Sequence, residues 1–209
     1  TPQIDTPHSR RRVSLADYEF ADLIDQQDKV RLLIDPTSSY AQAAAMAMGR
    51  AMDDVIIAAA TGTAYTGETG ATSESVQTAI AASVGTGTGL NLVKLTTAKR
   101  LLDDADVDPS IPRHIIVGPE QLQNLLAVEQ VTSSDYNTVK ALVQGEIDSY
   151  LGFKFTVSNR LAKSGNDRTC IVYAEDGITL GIGKDISARI DERADKSYAT
   201  QVYYCQSIG

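Results

Sequence analysis

Acid–base catalysis draws most often on histidine, and this chain has only His8 and His114. His8 lies in a polar N-terminal stretch, and His114 opens an apolar run beside Arg113. Neither has a serine or cysteine nucleophile nearby in sequence, and no Gly-x-Ser-x-Gly turn occurs. His114 therefore reads as a strand residue. Four carboxylates, Asp103, Asp104, Asp106 and Asp108, are spaced like a cation site. Asp104, Asp106 and Asp108 match the first three ligand positions of a calcium loop. Pro109 then stands where that loop needs a flexible glycine, and Ile115 where it needs a bidentate glutamate. The cluster reads as a solvated acidic helix end. Acids at a helix C-terminus oppose its dipole, so a basic partner or a weakly held ion would relieve them. A metal-dependent soluble α+β enzyme using residues 103–108 is the alternative that this cluster leaves open.

Phosphate loops fail on inspection. Gly85, Gly87 and Gly89 would need another glycine at 90 or 92, where neither Leu90 nor Leu92 serves, and no clear strand precedes them. Gly183-Lys184 has Ile178 where a P-loop has its first glycine, and no Ser or Thr follows the lysine. Cys170 and Cys205 are too few for a disulfide framework and have no Cys or His at metal-ligand spacing. They read as reduced, partly buried thiols. No catalytic residue, metal ligand or cofactor is assigned from the sequence.

The charge balance is 19 basic against 27 acidic residues, a net −8. Non-specific nucleic-acid binding runs on Lys and Arg neutralising phosphates, so an acidic chain is a poor free DNA or RNA binder. The 43% hydrophobic and 22% charged residues are ordinary globular composition and argue against wholesale disorder. No run approaches the ~18 apolar residues of a membrane span, and the N-terminus lacks a signal-peptide pattern. The one cationic run, Arg10-Arg11-Arg12, closes a polar stretch that reads as an exposed arm. It could pair with an acidic neighbouring subunit, and Arg10, Arg11 and Arg12 are the candidate inter-subunit contacts. A monomeric binding module using this arm is a further alternative.

These residues need elements to position them. Residues 14–34 show helical periodicity, with Ser14 as a cap, then Leu15, Tyr18, Phe20, Leu23 and Ile24, and a second apolar piece at Val30 to Ile34. Asp35-Pro36 is a strong helix start, and an Ala-rich helix over 36–61 follows with Gly62 as its stop. It reads as a long spine on which a sheet rests. Residues 61–90 are a Gly/Thr-rich link, with Val76 to Val84 as a short helix. A helix over 91–105, a strand at His114 to Val117 and a helix opening at Pro119 come next. Residues 132–145 are mixed, with helix around Val139 to Val143. Strands are expected at Lys154 to Val157, Thr169 to Tyr173, Ile178 to Ile182, Ile186 to Asp191 and Tyr198 to Ile208. Helices first and strands last make the class α+β.

The order of these pieces is more informative than any one motif. The spine running from Asp35-Pro36 through Arg50-Ala-Met-Asp53 precedes Ile115-Ile116-Val117-Gly118-Pro119. Gly152-Phe153 to Asn159 comes next, and long terminal strands close the chain. This resembles the major capsid protein of tailed phages, the Hong Kong-type capsid fold, over nearly the whole chain. The resemblance implies a long spine helix, a peripheral domain sheet and an axial domain. It assigns residues 1–13 to the remnant of an extended loop, 14–87 to the peripheral domain with the link, 88–183 to the axial domain, and 184–209 to returning peripheral strands. It also implies a non-enzymatic subunit of an icosahedral shell that self-assembles into pentamers and hexamers around double-stranded DNA. Its partners would be copies of itself, with scaffold, portal and decoration proteins and only weak inner-surface contact with DNA, and no membrane. Its place would be the virion, after assembly in the bacterial host cytoplasm. A nanocompartment shell protein is the close variant of this reading. The family's N-terminal arm and final strand have no counterpart here, which reads as a trimmed piece of a longer chain.

Overall fold

The computed structural model describes residues 10–25, 37–75, 78–85, 89–127 and 149–209. The described elements run β1 (Ala16–Ile24), α1 (Thr37–Thr61), β2 (Ala64–Thr66), β3 (Thr72–Glu74), α2 (Leu92–Asp104), β4 (Arg113–Val117), α3 (Pro119–Leu126), β5 (Ser149–Tyr150), β6 (Phe153–Val157), β7 (Lys163–Ser164), β8 (Asp167–Arg168), β9 (Ile171–Ala174), β10 (Ile182–Arg193) and β11 (Ala199–Ile208). They fall into two compact units, one of Thr1–Val76 with Thr179–Gly209 and one of Gln77–Ile178.

In the first unit, α1 is a 25-residue helix, about 37 Å long at 1.5 Å per residue. Its alanines favour helix and let a sheet approach closely. Ala44 and Met48 are buried one turn apart, whereas Ile57, nine residues on, is buried on the opposite side of the helix. The helix stops at Gly62, where a Cβ would lie 2.8 Å from the Ala58 carbonyl oxygen. The strands order β1-β11-β10, antiparallel throughout, so β11 is central. Both β1 and β11 pack on α1. On that face lie Val202 and Ile208, fully buried, and Gln206, whose Nε2 donates to the Met48 carbonyl at 3.1 Å. That bond offsets part of the cost of burying the amide, whose Oε1 has no hydrogen-bond partner among the described residues.

Residues 16–24 correct the helical expectation, because they form strand β1. Phe20, Leu23 and Ile24 satisfy helical spacing, but Tyr18, Phe20, Asp22 and Ile24 also alternate. In the structure these even positions turn inward while Asp17, Glu19, Ala21 and Leu23 are exposed. The nine-residue ladder with β11 decides between the two periods. Tertiary pairing overrides a weak local preference. The link holds the small hairpin β2–β3, with Gly67 and Gly70 at positive φ in its turn.

Two further expectations shift. Residues 78–85 carry a turn and no helix, although the expected helix began at Val76, outside the described residues. The strand expected from Ile178 begins only at Ile182. Before it, Gly181 and Gly209 exchange backbone hydrogen bonds of 2.7 and 3.0 Å. The expected features at His8, Val30 to Ile34, Asp35-Pro36 and residues 132–145 also lie outside the described residues.

The second unit has a four-stranded sheet ordered β5-β6-β4-β9. β4 pairs parallel with β6 and antiparallel with β9. Parallel neighbours need a crossover, and α3 lies within it. Gly118-Pro119 starts α3, with proline in the first turn where its missing N–H is no loss. Asn91 caps α2, its side chain accepting from the Lys94 N–H at 2.9 Å. Leu95, Ala98, Ile115, Val117, Leu125 and Phe153 form the core. The turn joining β5 to β6 is Leu151-Gly152, with φ of 54° and 87°. Two successive positive φ values match the hairpin turn whose twist suits flanking strands.

Candidate interaction surface

The arginine run lies against the small hairpin. The Arg12 N–H donates to the Tyr65 carbonyl at 2.9 Å, its guanidinium sits 5.8 Å from the centre of the Tyr65 ring, and its stem packs over Gly70. Arg11 bridges to Thr66 and pairs with Glu74 at 3.7 Å, both side chains about half exposed. Arg10 is exposed and lines an open depression with Gly67 and Gly70. The structure thus brings all three together on one surface. It also gives Arg11 and Arg12 partners within the chain, which the sequence did not reveal.

The other exposed feature is β10. It is the outer strand of its sheet, twelve residues long, and no other described strand pairs with its outer edge. Ile182, Ile186 and Ile190 stand 39% to 55% exposed along it. Lys184, Asp185, Arg189 and Asp191 alternate with them, and bulges interrupt the register. Charges and bulges blunt an edge against indiscriminate pairing, while the isoleucines keep an apolar stripe available. At its end, Asp195 pairs with Arg193 at 2.7 Å, which holds the carboxyl down at about 2.

The sheet face turned away from α1 is polar. Tyr203 Oη donates to Glu19 Oε1 at 3.0 Å, and Lys184 Nζ donates to Cys205 Sγ at 2.9 Å. The hydrogen bond to Glu19 pushes the Tyr203 phenol up to about 12. The hydrogen bond from Lys184 lowers the Cys205 thiol. Cys170, in the other unit, is raised by burial. Strand alternation already places Tyr203 and Cys205 on one face. Glu19 is hidden from the sequence because residues 16–24 also fit a helical period, and Lys184 because it follows Gly183 in a stretch that resembles a phosphate loop.

The acidic helix end resolves into two ion pairs. Asp103 meets Arg113 at 2.6 Å and Asp104 meets Arg100 at 2.6 Å. Arg113 is buried and also donates to the Val107 carbonyl at 3.2 Å. Asp108 accepts from the Ser110 N–H at 2.8 Å, which lowers its carboxyl. Basic partners therefore relieve the helix end. An open hollow of about 470 Å³ lies beside it, lined in part by Lys99, Asp106 and Arg113. Among the described residues, no group of three or more His, Cys, Asp or Glu could hold a metal ion. His114 stacks on Tyr173, its directly opposed neighbour on β9, with ring centres 5.4 Å apart. Among the described residues, no helix is long and apolar enough to cross a membrane.

A family model described as "Phage capsid protein" matches residues 1–209. No curated protein sequence gives a significant match. Among solved structures, the chain is similar to one described as Mycobacterium phage Che8, with 19% identity, TM-score 0.69, and coverage of 93% of this chain and 65% of that one. It is also similar to the capsid structure of the cyanophage P-SCSP1u, with 18% identity, TM-score 0.65, and 92% and 67% coverage. A third similarity is to the cyanophage Pam1 capsid asymmetric unit, with 15% identity, TM-score 0.68, and 94% and 70% coverage. The chain spans about two thirds of the length of these three chains, from 65% to 70%.

Proposed function

The chain belongs to the phage capsid protein family, and from that premise we propose that it self-assembles into the pentamers and hexamers of an icosahedral shell around double-stranded DNA. It is a mixed α and β capsid fold, and its family is structural, not enzymatic. That membership displaces the metal-enzyme alternative, whose carboxylates Asp103 and Asp104 are engaged by arginines.

The observation that carries the assembly reading is the exposed outer strand β10 with its stripe of isoleucines. A long edge of this kind is a template for pairing unless something covers it, and closed homo-oligomers cover repeated surfaces with copies of themselves. In this reading the unit carrying α1 and the β1-β11-β10 sheet is the peripheral domain. The unit of Gln77–Ile178 is the axial domain meeting its copies at the symmetry axes. Arg10, Arg11 and Arg12 face an acidic surface of a neighbouring subunit, with Arg10 contributing most because Arg11 and Arg12 already have partners in their own chain. The net charge of −8 keeps contact with packaged DNA weak. Scaffold, portal and decoration proteins complete the partner set, and assembly takes place in the host cytoplasm.

Light scattering after size exclusion, with negative-stain microscopy, tests this reading on the full-length protein. Pentamers, hexamers or closed particles are expected. A strict monomer at high concentration would overturn it. Arg10→Ala should weaken assembly more than Arg11→Ala while leaving the circular dichroism unchanged.

A further inference from the structure

The polar face of the β1-β11-β10 sheet gathers a thiol, an ammonium, a phenol and a carboxylate from three strands. Cys205 lies on the central strand, directly opposite Glu19 of β1 on one side and Ser187 of β10 on the other. Lys184 pairs with Ser207, two residues beyond Cys205. The register shifts between Lys184 and Ser187, and bulges of this kind re-aim side chains. Here the lysine reaches across to the sulfur, placing Nζ 2.9 Å from Sγ. Tyr203 faces the same way, donates to Glu19 and also meets the Cys205 thiol, which it helps Lys184 to lower. The register puts Asp17 and Glu19 of β1, Lys184, Arg189 and Asp191 of β10, and Tyr203 of β11 on this face. Of these, only Lys184 donates to the sulfur from a neighbouring strand.

We propose that Cys205 and Lys184 form a peroxide- and electrophile-reactive thiol site on the open face of this sheet. The nucleophile in such chemistry is the thiolate, and an adjacent ammonium favours it. Lys184 acts in that way, while Glu19 opposes it from the other side. With a hydroperoxide as oxidant, the thiolate sulfur attacks one peroxide oxygen. The S–O bond forms as the O–O bond breaks, sulfur losing two electrons and the peroxide gaining them. The leaving hydroxide or alkoxide takes a proton from the Lys184 ammonium and departs as water or alcohol, leaving a sulfenic acid at Cys205. The residue is 9% exposed, so small reagents are favoured over bulky ones. Cys170, free and partly buried with its thiol raised, is the internal control.

The test is site-resolved labelling of the purified chain. Iodoacetamide is applied in pulses from about pH 6 to about pH 10, bracketing the ordinary thiol value near 8.5, and each cysteine is read by peptide mass spectrometry. A parallel sample receives hydrogen peroxide and dimedone. Cys205 should label with a lower pH midpoint than Cys170 and should carry most of the dimedone adduct. Lys184→Met should slow Cys205 labelling at neutral pH at least about fivefold and raise its midpoint, while Lys184→Arg retains a low midpoint. Glu19→Gln should move the midpoint the opposite way, downward, which a merely loosened sheet would not do. The proposal fails if Lys184→Met leaves the Cys205 midpoint in place. It fails equally if Glu19→Gln shifts the midpoint upward, or if Cys205 stays unlabelled across the range in the folded protein.

Discussion

Asp103 and Asp104 are adjacent, each ends on an arginine at 2.6 Å, and yet they should contribute very differently to stability. The difference lies in the arginines. Arg113's side chain is 7% exposed and Arg100's is 65% exposed. Asp103→Ala strands a buried guanidinium whose other described acceptor is the Val107 carbonyl. Breaking a buried pair costs about 3–5 kcal/mol, and because Asp103 is itself 47% exposed, we expect about 2 kcal/mol. Asp104→Ala removes an exposed i,i+4 pair worth about 0.3–0.5 kcal/mol. It also removes an acid from the unfavourable end of the α2 dipole, a gain of similar size, so the net change should stay within about 0.5 kcal/mol. The chain has no tryptophan, so urea unfolding is followed by far-UV circular dichroism, with hydrogen exchange of the β4 peptide reporting on its own unit. For Asp103→Ala, protection of β4 should fall about thirtyfold, the equivalent of 2 kcal/mol at about 1.4 kcal/mol per decade. Adding Arg113→Met should recover at least about 1 kcal/mol by removing the stranded charge. Equal losses at the two aspartates, or a double variant weaker than Asp103→Ala alone, would refute the reasoning that burial of the arginine sets the cost.

Gly152→Ala tests the β5–β6 turn: nothing lies within 4 Å of the added Cβ, so the expected loss of about 1–2 kcal/mol is the backbone cost of positive φ alone, read from urea midpoints. Phe153→Ala opens the core of the second unit at a fully buried ring, with about 3–5 kcal/mol lost in the same assay. For Asp195 the folded carboxyl titrates near 2, below the ordinary value of about 3.9, so its pair with Arg193 supports the fold above about pH 4 and loses that support as pH falls through 2. Carboxyl NMR shifts should show the low midpoint, and Arg193→Gln should return it towards the ordinary value.

Much of the fold was legible because local signals and packing agree. Ala-rich spacing and Gly62 bound α1, and Gly118-Pro119 marks where β4 gives way to α3. Residues 16–24 were not legible. Their apolar positions fit both periods, and the deciding partner, β11, lies at the far end of the sequence. That one misreading hid the Glu19–Tyr203 contact, and with it the polar face around Cys205. The relief of the acidic helix end was half legible: the opposed dipole asks for a basic partner or a weakly held ion, but Arg113 is ten residues from Asp103 and is brought to it only by the fold. The arginine run was visible as charge, whereas its docking on the β2–β3 hairpin depends on strands too short to show a pattern.

The pairing of β1 with β11 also sets a timetable. Glu19 and Tyr203, joined across those strands, are 184 residues apart in the chain. Chains are made from the N-terminus, so β1 is synthesised well before β11 and has no ladder partner until that strand exists. The contiguous unit of Gln77–Ile178 can form its core while that wait continues. Long-range pairing is slow because closure entropy precedes any reward from contacts. The sheet that carries the β10 edge is therefore completed after the contiguous unit can form its core, and a nascent chain that still lacks β11 cannot present that edge in its completed form to its neighbours.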